Sequence, residues 1–223
     1  MIKIENIVTP SPEQWESIIL ATRNPMNSWD KSDSGYYGEC YPWEQTCEFV
    51  IGKNDLTLMK KLAKAGTDHR KFVRMIVVYV DITAPRFWWE QFSTYRVGVV
   101  QNSCSTMHTI HKKEFTLDDF SHEHLFDDND VMGAWKSSLN RTIADLNTAR
   151  DLYLETKDKK YWYQMIQLLP QSYNQKRTIT LNYEVLVNMY FARKDHKLDE
   201  WHTFCDWIKT LPYMKDILDA IEG

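Results

Sequence analysis

Residues 75–82 read Met-Ile-Val-Val-Tyr-Val-Asp-Ile, a nearly continuous apolar run rich in β-branched side chains. Such a run suits a strand covered on both faces, since a half-solvated strand alternates apolar and polar positions. A chain containing it has to cover a sheet with other elements, and Asp81 near its end is an unusual charge there.

The flanking sequence supplies mostly helices. Ile2, Ile4 and Ile7 read as a short strand, and Ser11-Pro12-Glu13-Gln14 offers an N-cap, a helix-starting proline and a capping-box glutamine for a helix to about Thr22. Residues 24–50 are rich in turn signals and lack a period, which predicts an ordered but irregular segment. Asn54 or Asp55 is placed to cap a helix carrying Leu56, Met59, Leu62 and Ala63, with Gly66 at its left-handed end. After Pro85, Phe87 to Phe92 reads as a short buried helix with the Trp88-Trp89 pair in the core; Val97 to Val100 is extended or loop. Amphipathic spacing predicts a long helix over 130–156, with Met132, Trp135, Leu139, Ile143, Leu146 and Ala149 on one stripe. Further helices are predicted from about Lys160 to Pro170, from about Thr180, and from Asp199. The fold class expected is α+β: a single domain over residues 1–223, with a twisted, mostly antiparallel sheet packed by helices and a helical C-terminal half.

The formal charge of −4 provides no general attraction to a nucleic-acid polymer or an anionic membrane. Phosphate binding would have to come from locally placed Arg or Lys, which favours a small partner. No apolar run approaches the roughly 20 residues that span a bilayer, and the N-terminus lacks a signal-peptide pattern, so a cytoplasmic protein is expected. Cys40, Cys47, Cys104 and Cys205 have no C-x-x-C spacing and read as free thiols. The pairs His108/His111 and His122/His124 lack the ligands that would complete a tetrahedral site, so no metal is expected. P-loop, dinucleotide-fold and nucleophile-elbow motifs are absent.

Three ordered blocks carry a resemblance. The stretch from Gln91 through Tyr95, Arg96 and Asn102 to Ser103-Cys104-Ser105-Thr106-Met107 parallels a signature of the form R-H-R-x-x-S-x-N-x-x-S-x-R-Y that follows a glutamine-bearing helix. Upstream, Ala65-Gly66-Thr67-Asp68-His69 lies at the matching distance; downstream come Leu169-Pro170, Tyr173, Thr178, Thr180, Asn182, Asn188 and Arg193. Over residues 54–210 the chain resembles the flavin-dependent thymidylate synthases. Asn24-Pro25-Met26-Asn27-Ser28-Trp29-Asp30 and Asp81-Ile82-Thr83-Ala84-Pro85 also look like a branch carried by phages and Gram-positive bacteria.

The resemblance implies an enzyme that binds FAD and dUMP at a homotetramer interface, takes a hydride from NADPH and methylates C5 of the uracil with methylenetetrahydrofolate. By it, Gln91 and Arg193 face the nucleotide and act in catalysis, with Ser103, Cys104 and Ser105 beside the substrate. Cys104 then stands where a nucleophilic thiol is conceivable. His69, Tyr95, Arg96, Asn102, Asn182 and Asn188 face the flavin, Tyr95 by stacking.

Each residue also has a plainer reading. Asn182 reads as a cap or a solvated side chain, and Arg193 as a cation complementing a helix dipole. Arg96 reads as a partner of Asp81 or Glu90, His69 as a contact of Asp68, and Cys104 as a small buried apolar group.

The chain departs from the family pattern at Thr94, Tyr95, Val99, Thr106, Ile166 and Glu184, where the family has Arg, His, Ser, Arg, Arg and Arg. Each lost charged hydrogen bond removes about 1.5–3 kcal/mol, so two weaken nucleotide affinity by about 100- to 10,000-fold unless something compensates. Arg70, Lys71, Arg74 and the Ser103-Cys104-Ser105 turn are the available compensators. A non-catalytic nucleotide-binding or sequestering protein on the same scaffold is therefore the alternative, and a purely structural oligomer the third reading.

Overall fold

The computed structural model of the chain describes residues 2–38, 48–130 and 132–223. Cys40 and Cys47 lie outside them. In chain order the elements are β1 (Lys3–Val8), α1 (Pro12–Arg23), β2 (Gly35–Tyr37), β3 (Glu48–Val50), α2 (Lys53–Lys64), β4 (Val77–Pro85), α3 (Arg86–Phe92), β5 (Val99–Ser103) and α4 (Thr106–Thr109). They continue with β6 (Asp127–Asp128), β7 (Gly133–Ala134), α5 (Trp135–Thr156), α6 (Lys159–Leu168), β8 (Asn174–Asn182), α7 (Tyr183–Arg193), α8 (Asp199–Thr210) and α9 (Met214–Glu222). The largest sheet has the strand order β1-β4-β8-β5, and the pairs β2/β3 and β6/β7 are antiparallel. This is the α+β architecture expected. Among the described residues no helix is long and apolar enough to cross a membrane.

The chain packs as two compact units, one of Met1–Glu5, Asp81–Tyr95 and Gln101–Thr178, the other of Asn6–Val80, Arg96–Val100 and Ile179–Gly223. In the first, Leu139, Ile143, Leu146 and Ala149 of α5 form a core with Met165 of α6, Phe115, Phe120 and Leu169. In the second, α2 packs on α9, and α8 on both α7 and α9. Ser11 and Gln14 make the capping box that starts α1, as their spacing predicts.

Four expectations need correction. β4 is not covered on both faces: Val78, Val80, Ile82 and Ala84 are buried, whereas Tyr79 is 51% exposed and Val77, Asp81 and Thr83 are half-buried. An antiparallel sheet tolerates one such face, and Asp81 on it is satisfied by Lys176 Nζ at 2.9 Å and by the Thr178 hydroxyl at 2.5 Å. The helix expected from Thr180 starts at Tyr183, because residues up to Asn182 form β8. There Ile179 and Leu181 are buried and Thr180 is not, a two-residue alternation short enough to pass for a helical stripe.

The helix expected from residue 130 starts only at Trp135. Met132, at φ 51° and 91% exposed, precedes it. The Asp127 carboxylate accepts the Lys136 and Ser137 backbone N–H groups at 2.9 and 3.0 Å, so the helix start is set from β6. Finally, neither Asn54 nor Asp55 caps α2, since both lie inside it. Asp33 does so, accepting from the Asn54 and Asp55 backbone N–H groups at 2.8 and 3.0 Å.

That substitution releases Asp55 for another task. It is 1% exposed, and its carboxylate takes Arg23 Nε at 2.6 Å, the Ser32 and Ser34 hydroxyls at 2.7 and 2.6 Å, and the Asp33 and Ser34 backbone N–H groups at 3.1 Å. Part of the irregular 24–50 segment is thereby pinned to α2. Burial alone would raise the Asp55 pKa, but the Ser34 and Ser32 hydrogen bonds and the Arg23 charge outweigh it and hold the group below the usual carboxylate range. A depressed folded pKa contributes stability above the unfolded value and loses it as pH falls, here below about pH 4. Asp55→Asn should therefore cost about 3 kcal/mol at neutral pH by leaving Arg23 buried without its anion. Urea midpoints at pH 7 and pH 3.5 should show the gap to the parent narrowing at the lower pH.

Candidate functional site

The predicted site residues divide between the units. Gln91, Tyr95, Asn102, Ser103, Cys104 and Ser105 belong to the first; His69, Arg96, Asn182, Asn188 and Arg193 to the second.

In the second unit the turn after α2 uses Gly66 at φ 99°, whose carbonyl accepts the His69 backbone N–H at 3.0 Å. His69 is exposed, as are Lys71 and Arg74, and Arg70 between them is buried. Arg70 meets Glu184 as a two-pronged pair, Nε to Oε2 at 2.9 Å and Nη2 to Oε1 at 3.0 Å, and Nη2 reaches Asn188 Oδ1 at 3.4 Å. Both charged side chains are nearly inaccessible, at 8% and 10%. Arg70 is thus committed to an internal carboxylate, while the Asn188 side chain stays exposed above it.

Asn182 caps α7, its Oδ1 accepting the Val185 backbone N–H at 3.1 Å. Its Nδ2 lies where a side chain on Gly98 would go: a Cβ there would meet it at 2.8 Å, at φ +76°. A glycine therefore lets the chain after exposed Arg96 approach the start of α7 closely. Arg193, in the last turn of α7, stacks its guanidinium on Trp201 at 4.8 Å. The ring explains its position better than the helix dipole alone.

In the first unit, α3 is anchored by Trp88, Trp89 and Phe92, all buried and in mutual ring contact, so the pair read as core is core. Gln91 and Tyr95 follow on its last turn and the turn beyond, both half-buried. Asn102, Ser103 and Cys104 are exposed at the end of β5. The Cys104 backbone N–H donates to the Lys176 carbonyl at 3.0 Å, and its carbonyl accepts Gln175 Nε2 at 2.8 Å, which fixes the turn on β8. Its thiol is exposed, against the reading of a small buried group. Ser105 caps α4, accepting the His108 backbone N–H at 3.2 Å.

Sequence reasoning missed one residue. Arg177 of β8 stacks on Trp89 at 4.3 Å and donates to Gln101 Oε1 at 2.7 Å and to Gln175 Oε1 from Nε and Nη2 at 3.2 and 2.9 Å. Its sequence signal was its place in the β8 alternation, which the helical reading from Thr180 obscured. Among the described residues no group of three or more His, Cys, Asp or Glu is placed to hold a metal ion.

The fold so built is that of the flavin-dependent thymidylate synthases. A structure of thymidylate synthase X from Helicobacter pylori with FAD and dUMP matches 100% of this chain and 99% of its own, at a TM-score of 0.64 and 16% identity. A second structure of that enzyme with the same two ligands matches 99% of both chains, at 0.63 and 16%. No family model matches the sequence, and no curated protein matches it.

Arg70→Met should cost about 3–5 kcal/mol, because Glu184 would stay buried without its cation. The double variant Arg70→Met/Glu184→Leu should recover most of that loss in a chemical denaturation midpoint.

Proposed function

We propose that this chain is a single flavin-dependent thymidylate synthase-like domain that binds FAD and a pyrimidine nucleotide, dUMP or a close relative. The observation that carries the reading is the end-to-end match to an enzyme structure holding both ligands. Reductive methylation at C5 of the uracil, with NADPH and methylenetetrahydrofolate as co-substrates, is the corresponding reaction. The working form is a cytoplasmic homotetramer acting on a small molecule and not on a nucleic-acid polymer. Exposed Val8, Met75 and Tyr79, which line an open cavity of about 520 Å³ with residues of α1, support an interface between copies.

The residues fit an anionic dinucleotide in kind. His69, Lys71, Arg74 and Arg96 are exposed, and Asn188, whose Oδ1 accepts from Arg70 Nη2, presents its amide next to the first of these segments. When bound, the flavin would supply the hydride chemistry; the protein's part is to bind and orient. Gln91 and Arg193 would hold the pyrimidine, Arg193 with its fork oriented by the Trp201 ring. Asn182 would offer its amide nitrogen, its oxygen already accepting the Val185 N–H at the start of α7. Exposed Cys104 is sterically able to approach a substrate.

A specific observation favours nucleotide binding without turnover as the second reading. Glu184 stands where the resemblance calls for arginine, and it neutralises Arg70, one of the cations available to compensate for that loss. That removes anion-binding capacity while preserving the scaffold.

The visible spectrum of the purified protein, before and after adding FAD, is the first test: bands of oxidised flavin are expected. A colourless protein that takes up no FAD would sink the flavoenzyme reading. With flavin bound, deuterium loss from C5 of labelled dUMP separates catalysis from sequestration. Arg193→Ala should weaken dUMP binding at least tenfold in a calorimetric titration, and unchanged binding would remove Arg193 from the site.

A further inference from the structure

Arg177 of β8 and Arg86 at the start of α3 both belong to the first unit, and neither forms an ion pair among the described residues. Arg177 is half-buried, and its hydrogen-bond partners are neutral: the Gln175 and Gln101 amide oxygens and, at 3.5 Å, the Ser93 hydroxyl. The Trp89 ring beneath it fixes the guanidinium plane, and Trp89 is itself held by its indole N–H donating to the Gln175 carbonyl at 2.8 Å. Arg86 lies one helical turn before Trp89 on α3, the ring on which Arg177 stacks; burial first, and the charge of Arg86 second, lower the Arg177 pKa. Arg86 is half-buried and forms no ion pair among the described residues.

This arrangement differs from every other buried arginine described. Arg23 and Arg70 each face a carboxylate. A half-buried guanidinium whose only partners are amides and a hydroxyl, with a second cation on the helix that carries the ring beneath it, is an arrangement that an anion from outside would complete. One N–H of the Arg177 Nη2 has no acceptor among the described residues. By the two-residue alternation of β5, Ser103 shares the face of Gln101, whose oxygen holds the fork. A carboxylate monoanion would offset only one of the two charges; a phosphomonoester dianion offsets both and accepts from a planar fork.

We propose that Arg177, aided by Arg86, binds the phosphate of a phosphomonoester ligand, and so replaces phosphate-binding arginines that the chain lacks at Thr106 and Ile166. That the phosphomonoester is a nucleotide rests on the reading given under Proposed function; the anion site itself does not.

Calorimetric titration of the parent protein, Arg177→Gln, Arg177→Lys and Arg86→Gln with inorganic phosphate, dUMP and deoxyuridine tests this, with thermal melts to establish folding. The parent should bind dUMP at least tenfold more tightly than deoxyuridine, and Arg177→Gln should lose about 10- to 100-fold for dUMP and little for deoxyuridine. Arg86→Gln should lose less, and Arg177→Lys should retain part of the affinity because the charge remains but the fork does not. Inorganic phosphate should compete with dUMP in the parent and not in Arg177→Gln. If both glutamine variants fold and bind dUMP as the parent does, the proposal is overturned. Should Arg177→Gln fail to fold, Arg86→Gln and Arg177→Lys decide by the same ratio of dUMP to deoxyuridine affinity. Loss of phosphate binding in Arg177→Gln by a parent that takes up neither FAD nor dUMP would keep the anion site and remove the synthase reading; FAD uptake with equal affinity for dUMP and deoxyuridine would do the reverse.

Discussion

A charge taken out of water must meet its opposite inside the protein, and that requirement organises this chain. Asp55 is buried against Arg23, and Glu184 against Arg70, in each case across a long stretch of sequence. The first pair ties the end of α1 to α2, and Ser32 and Ser34 bring the turn-rich segment onto the same carboxylate; the second ties the segment after α2 to the start of α7. Neither pair need exceed a well-packed apolar substitute in stability, but separating the segments that carry either pair would leave a buried charge without its counter-ion. Arg177 is the exception that makes the rule informative, being half-buried over Trp89 with neutral partners only.

Aromatic rings serve as the second positioning device. Trp89 lies under Arg177 and Trp201 under Arg193, so two guanidiniums that sequence alone would leave on long flexible stems have a defined plane. Stacking of this kind limits the rotamer freedom that a ligand would otherwise have to remove on binding. The rings are themselves anchored, Trp89 among Trp88 and Phe92 and Trp201 against Phe204. These five rings therefore serve as scaffold that holds the two cations in place.

The site residues inferred from spacing have unequal standing in the fold. Arg193 and Asn188 lie on α7, a helix with nearly continuous burial from Tyr183 to Val187, and inherit its rigidity. Asn182 is engaged as the cap of that helix, the plainer of its two readings. Arg70 could be weighed as a spare cation from sequence; only the folded chain shows it held by Glu184, because the two are far apart along the chain.

From residue order alone one could read the α+β class, the capping box of α1, the left-handed end after α2, the buried α3 tryptophans and the apolar stripe of α5 from Leu139 to Ala149, all of which depend on neighbours within a few residues. Tertiary structure decided the rest. It made 174–182 a strand, because Ile179 and Leu181 are buried in alternation, and it left one face of β4 half-open, with Asp81 held by Lys176 and Thr178. It also assigned the arginines, Arg23 and Arg70 to carboxylates, Arg193 and Arg177 to rings. Local propensity extends over a few residues, whereas the fate of a charge or a strand face depends on what the fold brings from far along the chain, which periodicity does not encode.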